Sequence, residues 1–139
     1  MYYGCPIIYR EKLFNSAIQL ISWHKCRAEG YRAQIELSTD PMQAGYFGTP
    51  LGRTFLARHN KGIEYSLRKD WPTIAQKTMA KIVRLKFDQN PNIRSILLQT
   101  QDQHLQENEQ PVYWEDGAKR NRYGRLLMKL RSTYQEQEV

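Results

Sequence analysis

The sequence predicts an α+β domain that is mainly α-helical, one compact unit with a few short strands, and three observations carry that prediction. Apolar residues recur at helical spacing in several separate runs, and proline and glycine punctuate the chain between those runs. A length of 139 residues with 40% apolar content supports one core and not two. Residues 1–139 are therefore read as a single domain, undivided by any internal repeat, linker or low-complexity tract.

The elements follow in order. Tyr2, Tyr3, Gly4, Pro6, Ile7, Ile8 and Tyr9 read as a short strand or extended arm. From Glu11 to His24 the residues Leu13, Phe14, Ala17, Ile18, Leu20 and Ile21 fall at helical spacing, with Glu11 in the first turn, where a carboxylate meets the positive end of the backbone dipole. Asp40 and Pro41 open another helix, because aspartate caps free amides and proline suits the first helical position. Gly45, Gly48, Pro50 and Gly52 keep it short. Thr49 to Ser66 has little periodicity and reads as a loop. Asp70 caps a long amphipathic helix to about Phe87, whose buried stripe is Ile74, Ala75, Met79, Ile82, Val83 and Phe87. Asn90 and Pro91 end it and begin the next, in which Ile93, Ile96, Leu97 and Leu98 go inward. Leu105 is the inward residue of the polar run that follows, and a last helix from about Asn121 to Tyr134 buries Tyr123, Leu126, Leu127 and Leu130. Four or five helices with minor strands then enclose one core.

The net charge of +7 is segregated along the chain. Nine Lys or Arg face two acids between Arg53 and Lys86, six basic residues face none between Lys119 and Arg131, and Gln99 to Gly117 holds five acids and no Lys or Arg. This layout is either a solvated basic surface or a grip on an anion such as a phosphate or a nucleic-acid backbone. No apolar run approaches the roughly 18 residues that span a bilayer, and the first residues lack a signal-peptide pattern, so a soluble, cytoplasmic protein without a membrane partner is expected. Cys5 and Cys26 are too few for a disulfide framework and read as plain thiols. His24, His59 and His104 lack metal-ligand spacing, and no Walker, Rossmann or Gly-x-Ser-x-Gly pattern occurs. No metal and no cofactor are expected.

What remains is a set of carboxylates beside large aromatics: Glu11, then Glu107 and Glu109 before Trp114, and Glu115 and Asp116 after it. Two carboxyl groups flanking a sugar can break a glycosidic bond, one stabilising the ribosyl cation or activating water and the other protonating the leaving group. Trp114 or Trp71 could stack on a nucleobase, while Trp71 is equally a core staple at a helix start. Asp116 with Gly117 also makes a turn, and Asn121 also makes a helix cap.

These segments form an ordered series. Leu67-Arg68-Lys69-Asp70-Trp71, then Met79 and Lys86-Phe87-Asp88-Gln89-Asn90, then Ile96-Leu97-Leu98-Gln99-Thr100 and Leu105-Gln106-Glu107 lead to Tyr113-Trp114-Glu115-Asp116-Gly117 and to Asn121 through Arg131. The series closely resembles the NADAR family of YbiA-like proteins. Upstream, Glu11-Lys12-Leu13-Phe14-Asn15-Ser16-Ala17 resembles the family's Glu-His-x-Phe-Gln-Ala segment, and Pro41-Met42 with Ala44 its Pro-x-x-Ala turn. The resemblance spans roughly Gly4 to Arg131.

The resemblance implies a metal-independent N-glycosidase acting on ribose-linked substrates, either phosphorylated riboflavin-pathway intermediates or ADP-ribosylated guanine in nucleic acid. It implies that Glu11 is the principal catalytic carboxylate and that Trp71 and Trp114 belong to the active site; Glu109 or Asp116 is then expected to assist the leaving group. It places Phe14, Asn121 and Arg122 beside the substrate, with Arg68, Lys69 or Arg122 as phosphate anchors. The chain also departs from the family pattern. A front segment resembling Phe-Ser-Asn-Phe has no counterpart, which describes an N-terminally shortened member; Pro111 stands where members carry an aspartate, and Glu115 replaces the glycine after the tryptophan. The family's Gly-Arg is represented by Gly48 or by Gly52-Arg53. The rival expectations are a non-catalytic binder of ADP-ribose, a nucleotide or nucleic acid, and an adaptor whose tyrosine-rich start forms a homo-oligomer by pairing with another chain.

Overall fold

Ile7–Tyr9 (β1) and Lys12–Phe14 (β2) pair antiparallel, Ile7 opposite Phe14 and Tyr9 opposite Lys12. Arg10 and Glu11 make the two-residue turn between them with φ of 50° and 64°, the left-handed geometry that matches strand twist in a tight hairpin. A period of two then sorts the side chains: Ile7 and Phe14 are fully buried, whereas Ile8 and Leu13 are more than half exposed. The helix expected from Glu11 to His24 is corrected accordingly. Helix α1 is Ala17–Lys25, and the Ser16 hydroxyl accepts the Gln19 amide hydrogen, which fixes its start. Leu13 and Phe14 fit the helical spacing by coincidence, because one helical turn and two strand steps both place an apolar residue there.

The computed structural model describes residues 4–59, 65–106 and 121–138. Within them the remaining elements are α2 Glu29–Leu37, α3 Pro41–Phe47, α4 Pro50–His59, α5 Trp71–Gln89, α6 Pro91–Gln99 and α7 Arg122–Gln137. Asp40 caps α3 as expected, accepting from the Met42 amide at 3.1 Å. Helix α2 escaped the sequence reading because one turn of spacing, Tyr31 and Ile35, supplies its entire buried stripe. Helix α4 replaces the Pro50–His59 part of the loop expected over Thr49 to Ser66, of which residues 60–64 lie outside the described residues. Its glycine is there for packing: a Cβ on Gly52 would overlap the Tyr46 carbonyl of α3, so the residue that suggested a loop is what lets two helices touch.

The main core gathers Ile7 and Phe14 from the hairpin, the buried face of α1, Tyr31 and Ile35 of α2, Leu56 of α4, and Trp71, Ala75, Met79 and Ile82 of α5. Gln19 is buried inside it. Its amide donates to the Ile35 carbonyl at 2.9 Å and accepts the Asn15 amide hydrogen at 2.6 Å, joining the hairpin exit to the end of α2. A second core of Val83, Phe87, Leu97, Leu130 and Tyr134 clamps α5, α6 and α7. Burial and a 2.6 Å bond to Asp88 push the Tyr134 phenol well above its ordinary range, so it stays a donor. Leu105 packs on this core as expected, but Ile96 is 58% exposed: α6 turns its Leu97 side inward. The outward N–H and C=O of Ile8 are both taken by the Gln89 side-chain amide, at 2.7 and 3.0 Å. Cys5 and Cys26 are buried free thiols. No helix among the described residues is long and apolar enough to cross a membrane.

Candidate functional site

Segment 65–70 runs from the α4 side to α5, and the Arg68 amide donates to the Lys25 carbonyl at 2.8 Å, pinning the segment to the end of α1. A cleft opens on each side of it. One, about 560 Å³, lies between α4 and the segment and is lined by Arg53, Thr54, Arg58, Tyr65 and Ser66 among others. The other, about 590 Å³, lies between Cys26–Ala28 and Ser66–Asp70. Ser66 and Leu67 belong to both, so the two form one notched basic surface.

Buried cations stand behind the first cleft. Arg53, 7% exposed, donates from Nη1 to the Gly48 carbonyl at 2.6 Å, and Lys25, 3% exposed, reaches the same oxygen at 3.3 Å. A Cβ on Gly48 would sit 2.6 Å from the Ser22 hydroxyl, which would have to turn away to admit it. Lys25 Nζ also lies 5.9 Å from the Trp71 ring centre. The Tyr65 hydroxyl and the Trp71 indole nitrogen are buried without a hydrogen-bond partner among the described residues. Burial raises the Tyr65 pKa, so its hydroxyl remains a proton donor. Fixed positive charge and unspent donors suit an anionic ligand.

In the second cleft Arg68 grips Asp70 with two bonds, Nε to Oδ1 at 2.6 Å and Nη2 to Oδ2 at 2.9 Å, and Arg27 reaches the same carboxylate at 3.3 Å. The Arg68 bond holds the Asp70 carboxyl below the usual carboxylate range. The cap expected of this side chain is not formed; its oxygens serve the arginine.

Behind the segment, His24 is lowered from 6.5 to about 4, first by burial and then by Arg32, Arg10, Arg68 and Lys81. It is neutral at pH 7. The unfolded chain binds a proton at this histidine below about pH 6.5, while the native state resists until about pH 4, so stability falls as pH drops through that window. After allowance for solvent screening the loss is about 1–2 kcal/mol. Urea titrations at pH 7 and pH 4.5 should show it, and His24→Gln should flatten the difference.

The sequence-derived site residues are dispersed. Glu11 sits exposed in the hairpin turn and not on a helix, and α1 has no acidic residue in its first turn. Phe14 is fully buried, edge-on to Trp23 at 5.7 Å, so it cannot face a substrate in this conformation. Trp71 is fully buried and packs the core, the staple alternative that the sequence offered beside stacking on a nucleobase. Arg68 and Lys69 line the second cleft, and Arg68 is engaged with Asp70. Asn121 opens α7 at φ 51° without capping it, its amide donating to the Leu105 carbonyl at 2.9 Å; Arg122 begins the helix beside it, and neither lines the two clefts. Trp114, Glu109 and Asp116 lie outside the described residues.

Lys25, Arg53, Tyr65 and Asp70 were missed as site residues. Lys25 had a signal, a strong charge ending an otherwise apolar helix. Gly48 and Gly52-Arg53, the two candidates for the family's Gly-Arg, are brought together by the bond from the Arg53 guanidinium to the Gly48 carbonyl.

A family model, the NADAR domain, matches residues 4–135. The chain belongs to the NADAR family. It is similar to the N-glycosidase YbiA of Escherichia coli (strain K12), 36% identical over 130 residues that cover 91% of this chain and 74% of that protein. A riboflavin biosynthesis protein, PYRR, chloroplastic, of Arabidopsis thaliana is 36% identical over 72 residues, 49% of this chain and 12% of that protein. The NMR structure of E. coli YbiA superposes with a TM-score of 0.73 at 26% identity, covering 99% of this chain and 77% of that chain. The NADAR resemblance read from the ordered motifs and the mainly helical α+β fold are thereby both established.

Proposed function

We propose that this NADAR domain is a metal-independent N-glycosidase that hydrolyses the N-glycosidic bond of a phosphorylated riboside or an ADP-ribose conjugate: a riboflavin-pathway intermediate or ADP-ribosylated guanine in nucleic acid. The observation that supports this reading is the pair of adjoining basic clefts on a fold shared with a protein named N-glycosidase. Breaking the bond between the anomeric carbon and the base nitrogen leaves positive charge on the ribose and negative charge on the departing base. A carboxylate must meet the first, an acid must protonate the second, and cations must hold the phosphate. Arg53, Arg58 and Lys69 supply the phosphate grip, with the Tyr65 hydroxyl as an added donor.

The carboxylate pair is assigned to Glu109 and Asp116, with Trp114 sheltering the ribose. Glu11 has lost the helix position that supported it. Glu11→Gln is therefore expected to leave turnover within about threefold, whereas Glu109→Gln or Asp116→Asn should lower kcat at least about a hundredfold. Loss of turnover in Glu11→Gln alone would restore the hairpin carboxylate to the reaction.

The absence of any acid in α1, Ala17–Lys25, favours a second reading, a domain that binds ADP-ribose, a nucleotide or nucleic acid without cutting it. Incubation with ADP-ribosylated guanine DNA and with ribosylamino-pyrimidine phosphates, followed by chromatography of released base, separates the two. Base release supports the hydrolase, binding alone supports the second reading, and no release with no binding overturns both. A homo-oligomer through the N-terminal segment is tested by size in solution; the outward bonds of Ile8 are already made by Gln89.

A further inference from the structure

We propose that the surface where the hairpin turn, α1, α2 and α5 meet is a second phosphate seat, built from Arg10, Arg32 and Lys81 around Tyr9, Trp23 and His24, which takes a phosphate ester outside the two clefts. It stands apart from the proposed hydrolysis and does not require turnover. The three rings form a fixed scaffold: Tyr9 lies 5.2 Å from His24 and 6.1 Å from Trp23, and Trp23 lies 5.0 Å from His24, all edge-on. Each cation rests on this scaffold. The Arg32 guanidinium is 3.8 Å over Trp23, Arg10 is 5.0 Å over Tyr9, and Lys81 Nζ is 5.6 Å over Tyr9.

Arg32 is oriented further by its Nε, which donates to the carbonyls of Trp23 at 3.2 Å and Cys26 at 3.0 Å; its two terminal nitrogens have no partner among the described residues. None of the three cations is in an ion pair among the described residues. Arg68, the fourth cation facing His24, is already paired with Asp70. Like charges held together without a counter-ion repel one another, and an anion among them relieves that repulsion while meeting a preorganised guanidinium. Burial first, and then the neighbouring cations, hold His24 neutral and lower the pKa of Arg32. A phosphate ester fits because it offers two or three acceptor oxygens to several donors at once.

His24 reports occupancy directly, since a bound anion must raise its midpoint. The imidazole resonances of the full chain are titrated by NMR with inorganic phosphate, against chloride at matched ionic strength. Phosphate should raise the midpoint by about one unit and chloride should not. Arg10→Gln with Lys81→Gln, both at exposed positions, should weaken the phosphate response at least about fivefold. Adenosine monophosphate and a short oligonucleotide lacking terminal phosphates then identify the source: a response to the first alone assigns a monoester, and a response to the second assigns a diester backbone. Equal shifts with phosphate and chloride, or a full phosphate response in the double variant, would overturn the seat.

Discussion

Replacing Trp71 with alanine is expected to destabilise the domain by about 3–5 kcal/mol, enough to leave much of the chain unfolded. The indole is fully buried at the start of α5, in the main core shared with the hairpin and the buried face of α1. Deleting it removes a large apolar area and opens a cavity that helices pinned on several sides cannot fill. Its nitrogen has no hydrogen-bond partner among the described residues, so Trp71→Phe breaks no such bond there and should cost only about 1–2 kcal/mol. Denaturant unfolding of both variants tests the structural role. A stacking platform behaves oppositely: alanine would keep the wild-type midpoint and raise KM. That outcome would return Trp71 to the substrate.

Gly52→Ala should lower stability by about 2–3 kcal/mol, even though alanine is normally the better helix former by about 1 kcal/mol. The added methyl would overlap the Tyr46 carbonyl and lie 2.7 Å from the Phe47 Cα, and backbone atoms cannot rotate away as a side chain can. Relief requires α3 and α4 to part. Because α4 carries Arg53, Thr54 and Arg58 into the first cleft, ligand affinity should fall with the thermal midpoint. A thermal midpoint at or above wild type would show that the two helices do not touch at this glycine.

The residues of α5 and α6 were legible because their signals are local and redundant. A long stripe at Ala75, Met79, Ile82, Val83 and Phe87 has one helical interpretation, and Asn90-Pro91 marks a boundary wherever it falls. The Asp40 cap succeeded for the same reason. The front of the chain resisted because seven or eight residues of mixed spacing fit a helix and a hairpin about equally. Burial of Ile7 against Phe14, and the positive φ of Arg10 and Glu11, decided between them. With that decision Glu11 left the first helix for the hairpin turn.

The chain's chemistry divides in the same way. Ordered motifs spread over half the sequence determined the family, since each residue type is read in place without knowing what it touches. Segregated charge was legible in the same way, although by itself it fits a solvated basic surface as well as an anion grip. What only the folded molecule decided was which cations share a surface: Lys25 and Arg53, far apart in sequence, meet on the Gly48 carbonyl, and Arg10, Arg32 and Lys81 come from three separate elements. Such convergence depends on how helices cross and how deeply side chains are buried, and those are set by packing among distant residues, which no local spacing encodes.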